Sequence, residues 1–185
     1  EALHVESFAA FLKHEAITSC YFHPGMLDEL GKSLLEDQSG VVLKRILAGV
    51  EPITRGVFNK FLALESAPVV INAYGPTEAT VFATAYRVTQ SPMVNDRTPI
   101  GSAIDGNYLR ILDEELQEVE QGSSGELSIG GVGLAVGYWD DISLTNERFI
   151  VDPYRKKERL YRTGDRVKML PDGNLIYEGR IDYQI

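Results

Sequence analysis

The stretch "VVINAYGPTE", residues 69–78, decides how this chain is organised. A short apolar run rich in β-branched residues ends at Asn72 and passes into a Gly-Pro pair that is typical of a turn. The polar side chains of Tyr74, Thr77 and Glu78 follow within a few residues. The pattern predicts a buried strand whose carboxyl end presents a cluster of hydrogen-bonding groups.

Similar segments precede this strand. Residues 16–22 and 41–48 have strand character, and the segment between them begins at Pro24 with leucines at helical spacing. Strands that alternate with short helices predict a mainly parallel sheet with helices on its faces. We therefore expect residues 1–80 to form an α/β part.

The second half has a different pattern. Short strand-like runs at 108–112, 126–129 and 167–170 are separated by Gly, Asp, Ser and Pro. The sequence Pro-Asp-Gly-Asn at 171–174 is a turn signal, because Pro presets φ and Gly accepts a positive φ. Residues 81–185 are therefore expected to form a small antiparallel, β-barrel-like subdomain.

Composition narrows the class of protein. The chain has 185 residues, of which 44% are hydrophobic, and a formal net charge of −9. Such an acidic chain is not expected to bind nucleic acid through its phosphates, which needs a basic surface. The single Cys20 excludes an internal disulfide. No run is long enough for a membrane-spanning helix and no secretory signal is present, so we expect a cytoplasmic protein without a membrane partner.

The cluster at 72–78 has the chemistry of a magnesium–nucleotide site. The ring of Tyr74 can stack on a nucleobase, and the amide of Asn72 can read a purine edge. Thr77 can donate to a phosphate oxygen, and Glu78 is an oxygen ligand of the kind that Mg²⁺ uses together with phosphates. The alternative is an ordinary strand-to-loop turn, since Asn and Gly-Pro are common turn residues.

Two later clusters allow a similar pair of interpretations. Asp165, in "YRTGD" at 161–165, can accept hydrogen bonds from both ribose hydroxyls, or it can belong to a turn before a strand at Val167. Arg180, in "GRID" at 179–182, can bind phosphate or ribose, or it can be a solvated surface charge.

Four segments resemble the motifs of one family, in that family's order. The segments are "NAYGPTE" (72–78), "GELSIGGVGLAVGYWDDISLTNERF" (125–149), "YRTGDRV" (161–167) and "GRIDYQI" (179–185). They are similar to the adenine- and Mg-binding, Gly-rich, ribose-binding and hinge motifs of the adenylate-forming (AMP-binding) enzymes. The resemblance is strongest to the adenylation domains of nonribosomal peptide synthetases.

The resemblance implies an activity and its partners. Such a ligase uses Mg²⁺ and ATP to convert an amino acid to an aminoacyl-adenylate and pyrophosphate. It then passes the aminoacyl group to the phosphopantetheine thiol of a peptidyl carrier protein, in secondary metabolite biosynthesis. The family's alternative chemistry is that of an acyl- or aryl-acid ligase. A further alternative is a non-catalytic relic of the fold with a structural or interaction role.

The resemblance also implies residue roles. Thr77 and Glu78 would be the catalytic pair, with Thr77 on the α-phosphate and Glu78 on Mg²⁺. The nucleotide, as ATP or AMP, would contact Gly49, Asn72, Tyr74, Thr77, Asp165, Tyr177 and Arg180. Tyr74, Asn72, Tyr177 and the bare backbone of Gly49 would lie at the adenine, and Asp165 and Arg180 at the ribose. Asp182 would be the hinge to the family's C-terminal adenylation subdomain.

The implied amino-acid pocket consists of uncharged side chains, two of which are small alanines that leave room: Tyr21, Ile46, Ala48, Ala73, Val81 and Phe82. This set favours a substrate with an apolar or aromatic side chain, although the aliphatic members can equally be ordinary core residues.

The chain is expected to be a fragment of the family's large N-terminal lobe. The family's phosphate loop would lie before residue 1, and its adenylating lysine would lie after Ile185. We therefore expect the isolated chain to bind nucleotide weakly and not to turn over, because the phosphoryl charge would lack its cationic partner.

Overall fold

A computed structural model describes residues 4–49 and 51–181 of the chain. The chain divides into two compact units, one made of Glu1–Ala73 with Tyr86–Thr98 and the other of Tyr74–Ala85 with Pro99–Ile185. The domain boundary at residue 80 stays a prediction.

The first unit alternates helices with parallel strands. Its elements are α1 (Val5–His14), β1 (Ser19–Tyr21), α2 (Pro24–Glu36), β2 (Arg45–Gly49), α3 (Arg55–Leu62) and β3 (Val69–Tyr74), whose last residue begins the second unit. The strands β1, β2 and β3 lie side by side in that order and run parallel. This arrangement confirms the α/β pattern that the sequence predicts.

The hydrophobic core of this unit lies around α2. Leu27, Leu30 and Leu34 are fully buried, because their spacing places them on one face of the helix. Phe22 and Phe61 stack beside them with ring centroids 5.9 Å apart. The packing of the helices against the sheet holds the carboxyl ends of β2 and β3 in place.

The carboxyl ends of β2 and β3 are adjacent in the sheet. Ala48 pairs with Asn72, and Gly49 pairs with Ala73. A Cβ atom at Gly49 would lie 1.7 Å from the carbonyl oxygen of Ala73, which is an impossible contact. Glycine is therefore required at position 49 by the close approach of the neighbouring strand.

The second unit is rich in antiparallel strands. After a 3₁₀ turn at Thr77–Ala79, its elements are β4 (Thr84–Arg87, ending in the first unit), β5 (Ser102–Ala103), β6 (Asn107–Leu112), β7 (Ser124–Gly131), α4 (Ile142–Arg148), β8 (Phe149–Val151), β9 (Arg159–Met169) and β10 (Leu175–Arg180). The strands β6, β7, β9 and β10 form a curled antiparallel half-barrel in that order, with β8 beside the first part of β9. The predicted fold class is therefore confirmed.

The longest strand is β9, which has 11 residues. It includes the segment 161–165, so the interpretation of Asp165 as part of a turn before Val167 is wrong. Apolar residues of β7, β9 and β10 form the core of the unit: Leu127, Ile129, Val167 and Leu175. The strand β9 has a bulge at residues 163–165. The glycine in this bulge makes the sequence of the segment resemble that of a turn.

Among the described residues, every helix is too short or too polar to cross a bilayer.

Candidate functional site

Two of the sequence-predicted residues, Tyr74 and Arg180, contact a third, Asp165, in the second unit. The hydroxyl of Tyr74, the last residue of β3, donates a hydrogen bond to Oδ2 of Asp165. Arg180, paired with Asp165 across β9 and β10, donates from Nη1 to Oδ1 of Asp165 at 3.1 Å. The same Nη1 also donates to the carbonyl oxygen of Thr163 at 2.9 Å. Asp165 is therefore a buried, hydrogen-bonded carboxylate and Arg180 is not a solvated surface charge.

A second tyrosine completes an aromatic pair at this cluster. The ring of Tyr177, on β10, lies with its centroid 6.4 Å from that of Tyr74 and its plane tilted by 35°. Burial and the neighbouring Asp165 carboxylate raise the pKa of the Tyr74 hydroxyl well above its ordinary value. Tyr74 is therefore a neutral hydrogen-bond donor at physiological pH, with an aromatic neighbour beside it.

Glu78 is held by a different tyrosine. Glu78 lies in the 3₁₀ turn, and its Oε1 accepts a hydrogen bond of 2.6 Å from the hydroxyl of Tyr138. The hydroxyl of Tyr161 lies 3.3 Å from that of Tyr138. Burial by itself would raise the pKa of Glu78, but the hydrogen bond from Tyr138 and the charge of Arg148 help to lower it below its ordinary value. Glu78 is therefore an ionised carboxylate near neutral pH.

A hollow of about 370 Å³ lies beside Glu78 and Arg180. Its lining consists of Pro76, Glu78, Tyr138, Leu144, Arg148, Tyr161, Thr163 and Arg180. Two guanidinium groups and one carboxylate face a space of this size, which suits a phosphate-containing ligand with a divalent cation. Across residues 4–49 and 51–181, no group of three or more His, Cys, Asp or Glu side chains is placed to hold a metal ion.

The other predicted residues are placed as follows. In the first unit, Gly49 and Asn72 are buried at the ends of β2 and β3, and Ile46, Ala48 and Ala73 are buried nearby, whereas Tyr21 is exposed. In the second unit, Thr77 and Val81 are exposed and Phe82 is partly buried. Asp182 lies outside the described residues. The roles assigned to these residues stay predictions.

Sequence reasoning missed four polar residues that line the hollow: Tyr138, Arg148, Tyr161 and Thr163. Tyr138 and Arg148 lie within the long Gly-rich motif, and Tyr161 opens the ribose-like motif. Their side-chain types could have indicated a role in the site, because a phenol and a guanidinium both donate hydrogen bonds to oxygen. Their partner, Glu78, is 60 residues from Tyr138, however, and nothing local in the sequence indicates that contact.

Comparison with known families agrees with this geometry. Residues 1–139 match the model of the family described as "AMP-binding enzyme". The chain belongs to the AMP-binding enzyme family.

Relatives of this AMP-binding chain include large synthases and synthetases. It is 36% identical over 179 residues to malpibaldin synthetase of Mortierella alpina, a match that covers 96% of this chain and 3% of the relative. It is 48% identical over 115 residues to gramicidin S synthase 1 of Brevibacillus brevis, covering 62% of this chain and 10% of the relative. The chain thus spans only a small part of these proteins.

A solved structure supports the same family and fold. PA1221, a nonribosomal peptide synthetase protein containing adenylation and PCP domains, superposes on the whole chain with a TM-score of 0.88 and 31% identity. The match covers 37% of that protein's chain. The resemblance to a nonribosomal peptide synthetase adenylation domain, inferred from four motifs, is confirmed.

Proposed function

We propose that this chain is part of an adenylation domain that activates an amino acid with Mg²⁺ and ATP in nonribosomal peptide synthesis. In the first step an oxygen of the amino-acid carboxylate bonds to the α-phosphorus of ATP, and pyrophosphate leaves. In the second step the phosphopantetheine thiol of a peptidyl carrier protein attacks the carbonyl carbon of the aminoacyl-adenylate, and AMP leaves.

The observation that carries the proposal is the convergence of Tyr74 and Arg180 on Asp165, with the ring of Tyr177 beside that of Tyr74. An ionised carboxylate has about four lone-pair sites, so Asp165 can accept from ribose hydroxyls in addition to Tyr74 and Arg180. The neighbouring aromatic pair offers a ring face of the kind on which a base stacks. This combination supports a purine ribonucleotide as the ligand.

The donor set also fits a magnesium ion brought in with the nucleotide. Glu78 supplies one ionised carboxylate at the hollow, and Mg²⁺ commonly uses one or two carboxylates together with substrate phosphates. When bound, the ion would neutralise charge on the phosphates during pyrophosphate departure. Tyr138 orients Glu78, and the guanidinium groups of Arg148 and Arg180 at the hollow can offset further phosphate charge.

The remaining roles follow the family pattern and belong to the proposal. Thr77 would donate to the α-phosphate, while Asn72 and the backbone at Gly49 would lie at the adenine. The side chains of Tyr21, Ile46, Ala48, Ala73, Val81 and Phe82 would contact an apolar or aromatic amino-acid side chain. Asp182 would be the hinge to a C-terminal adenylation subdomain.

The test is amino-acid-dependent ATP–pyrophosphate exchange by the full polypeptide that carries this chain. We expect exchange with one or a few apolar or aromatic amino acids. Glu78→Ala should lower the rate by about a hundredfold or more, because a preorganised charge at the reacting phosphates is lost. Glu120→Ala, an exposed glutamate in the connection between β6 and β7, is the matched control and should retain the rate.

Each contrary outcome has a definite meaning. Exchange with aryl acids alone would refute amino-acid activation and favour an aryl-acid ligase. Exchange that Glu78→Ala leaves intact would refute the metal-binding role of Glu78. A full polypeptide that exchanges with no acid at all would refute the adenylating function.

A further inference from the structure

The strand β9 contains a bulge immediately before the Asp165 carboxylate. In the register of β7 and β9, residues 163–165 lie opposite Leu127 alone, so β9 has two more residues than its partner at this point. Gly164, at the centre of the bulge, has a φ of 71°, in the left-handed region that favours glycine. A bulge of this kind redirects the side chains of the strand that carries it.

The carboxylate of Glu126, on β7, occupies the gap that the bulge leaves in the ladder. Its Oε1 accepts a hydrogen bond of 3.0 Å from the backbone N–H of Gly164. Its Oε2 accepts from Arg162, at 3.1 Å from Nε and at 2.6 Å from Nη2. Glu126 is only 8% exposed. An apolar residue at position 126 would leave the buried N–H of Gly164 without this acceptor, and a buried unpaired N–H is strongly disfavoured.

Two further peptide groups of the bulge are also hydrogen-bonded. The Thr163 hydroxyl donates to the carbonyl oxygen of Leu127 at 2.7 Å and accepts from the N–H of Asp165 at 3.0 Å. The carbonyl oxygen of Gly164 accepts from the N–H of Ile181 at 2.8 Å. The Glu126 carboxylate is therefore the acceptor for the backbone N–H of Gly164. Gly164 directly precedes Asp165 in the chain, so this hydrogen bond also helps to position the backbone of Asp165.

We propose that Glu126 is a positioning residue for nucleotide binding, which sets the Asp165 carboxylate toward the ribose by holding the N–H of Gly164 in the bulge. Glu126 and Arg162 line a different hollow, of about 260 Å³, from the one that contains Glu78. Glu126 therefore acts through the backbone of the bulge and not by contact with the ligand. The inference rests on the proposed function, in which Asp165 binds the ribose hydroxyls.

The experiment measures ribose recognition in the full polypeptide that carries this chain. Dissociation constants for AMP and for 2′-deoxyAMP are determined by isothermal titration calorimetry without Mg²⁺, so that the result does not depend on the metal site. The variants are Glu126→Ala, which has no acceptor for Gly164, and Glu126→Gln, which keeps one amide oxygen. Glu120→Ala is the control, and far-UV circular dichroism checks that each variant is folded.

We expect the wild type and Glu120→Ala to prefer AMP over 2′-deoxyAMP by about tenfold or more, because a hydrogen bond to a charged acceptor is worth at least that ratio. Glu126→Ala should lower the preference to about threefold or less, mainly by weakening the binding of AMP. Glu126→Gln should have an intermediate preference, since it retains an acceptor.

Three results would overturn the inference. If Glu126→Ala weakens the binding of both nucleotides equally and keeps the preference for AMP, Glu126 has a structural role only. If Glu126→Ala does not fold, Glu126→Gln decides the matter, and a wild-type preference in that variant would overturn the inference. If the wild type itself binds AMP without a preference, the ribose role of Asp165 in the proposed function fails, and this inference fails with it.

Discussion

Replacing Asp152 by an asparagine is expected to destabilise the second unit more than any exposed carboxylate-to-amide change. Asp152 is fully buried, and its two oxygens accept from Nε of Arg110 at 2.9 and 3.0 Å. Its Oδ1 also accepts from the backbone N–H groups of Tyr154 at 2.8 Å and Arg155 at 3.2 Å. The side chain of Arg110 is itself only 12% exposed, so both charges of the pair are shielded from water.

The magnitude follows from this burial. Removing one partner of a buried ion pair typically costs about 3–5 kcal/mol, because the other charge stays buried without full compensation. The amide introduced at position 152 would keep one oxygen for the backbone N–H groups, and Arg110 also pairs with Glu118. We therefore expect a loss of about 3 kcal/mol, at the lower end of that range. With an m-value of about 2 kcal/mol/M, the urea midpoint should fall by roughly 1.5 M.

The assay is urea unfolding at pH 7, followed by far-UV circular dichroism. Glu178→Gln is the matched control, because it makes the same chemical change in a carboxylate that is 3.4 Å from Arg166 and partly exposed. An exposed pair of this kind contributes at most about 1 kcal/mol. If Asp152→Asn shifts the midpoint no more than Glu178→Gln does, the buried pair does not stabilise the fold as argued.

The pH dependence gives an independent check with a definite sign. Burial by itself would raise the pKa of Asp152, but the hydrogen bonds from the Tyr154 backbone and from Arg110 lower it below its ordinary value. A carboxyl with a lowered pKa in the folded state contributes stability above its unfolded pKa, which is about 3.9, and that contribution is lost as the pH falls through the folded pKa. The difference in stability between the wild type and Asp152→Asn should therefore shrink below about pH 4. A difference that stays constant down to about pH 2 would contradict this assignment.

Two further predictions concern the candidate site and the first core. Tyr138→Phe removes a hydrogen-bond donor that lowers the pKa of Glu78, so the acid limb of the pH profile of pyrophosphate exchange should move to higher pH. An unchanged acid limb would mean that Tyr138 does not lower the pKa of Glu78. Phe22→Ala, in a fully buried position, should cost about 3–5 kcal/mol in urea unfolding, whereas Phe11→Ala, at 51% exposure, should cost less than about 1 kcal/mol. Equal losses for the two phenylalanines would contradict the observed burial.

The arrangement of the fold was largely predictable, because it depends on patterns within short segments. The leucines of α2 recur at the helical period, and the apolar run of β3 ends at a polar turn, so element type and order follow from local sequence. The extent of β9 was not predictable. Gly164 and Asp165 have the composition of a turn, and only their pairing with the neighbouring strand makes them part of a bulged strand.

The candidate site, like the fold, was predictable from the sequence only in part. Residue types and motif order indicated Tyr74, Glu78, Asp165 and Arg180, because each type suits a distinct part of a nucleotide. The residues that orient them were missed. Tyr138 is 60 positions from Glu78, and a local pattern such as "GELSIGG" gives no indication that its glutamate accepts from a glycine 38 positions away.

The sequence by itself determined the α/β and β-rich halves, the AMP-binding family and the polar residues that can meet a nucleotide. These properties arise from hydrophobic period, turn chemistry and side-chain type, which act between near neighbours in the chain. The tertiary structure alone decided that the Tyr74 hydroxyl meets Asp165, 91 positions away, and that Glu126 secures the bulge before it. Such contacts depend on strand register and on which buried N–H groups lack a ladder partner, and both are settled only when the sheet has formed.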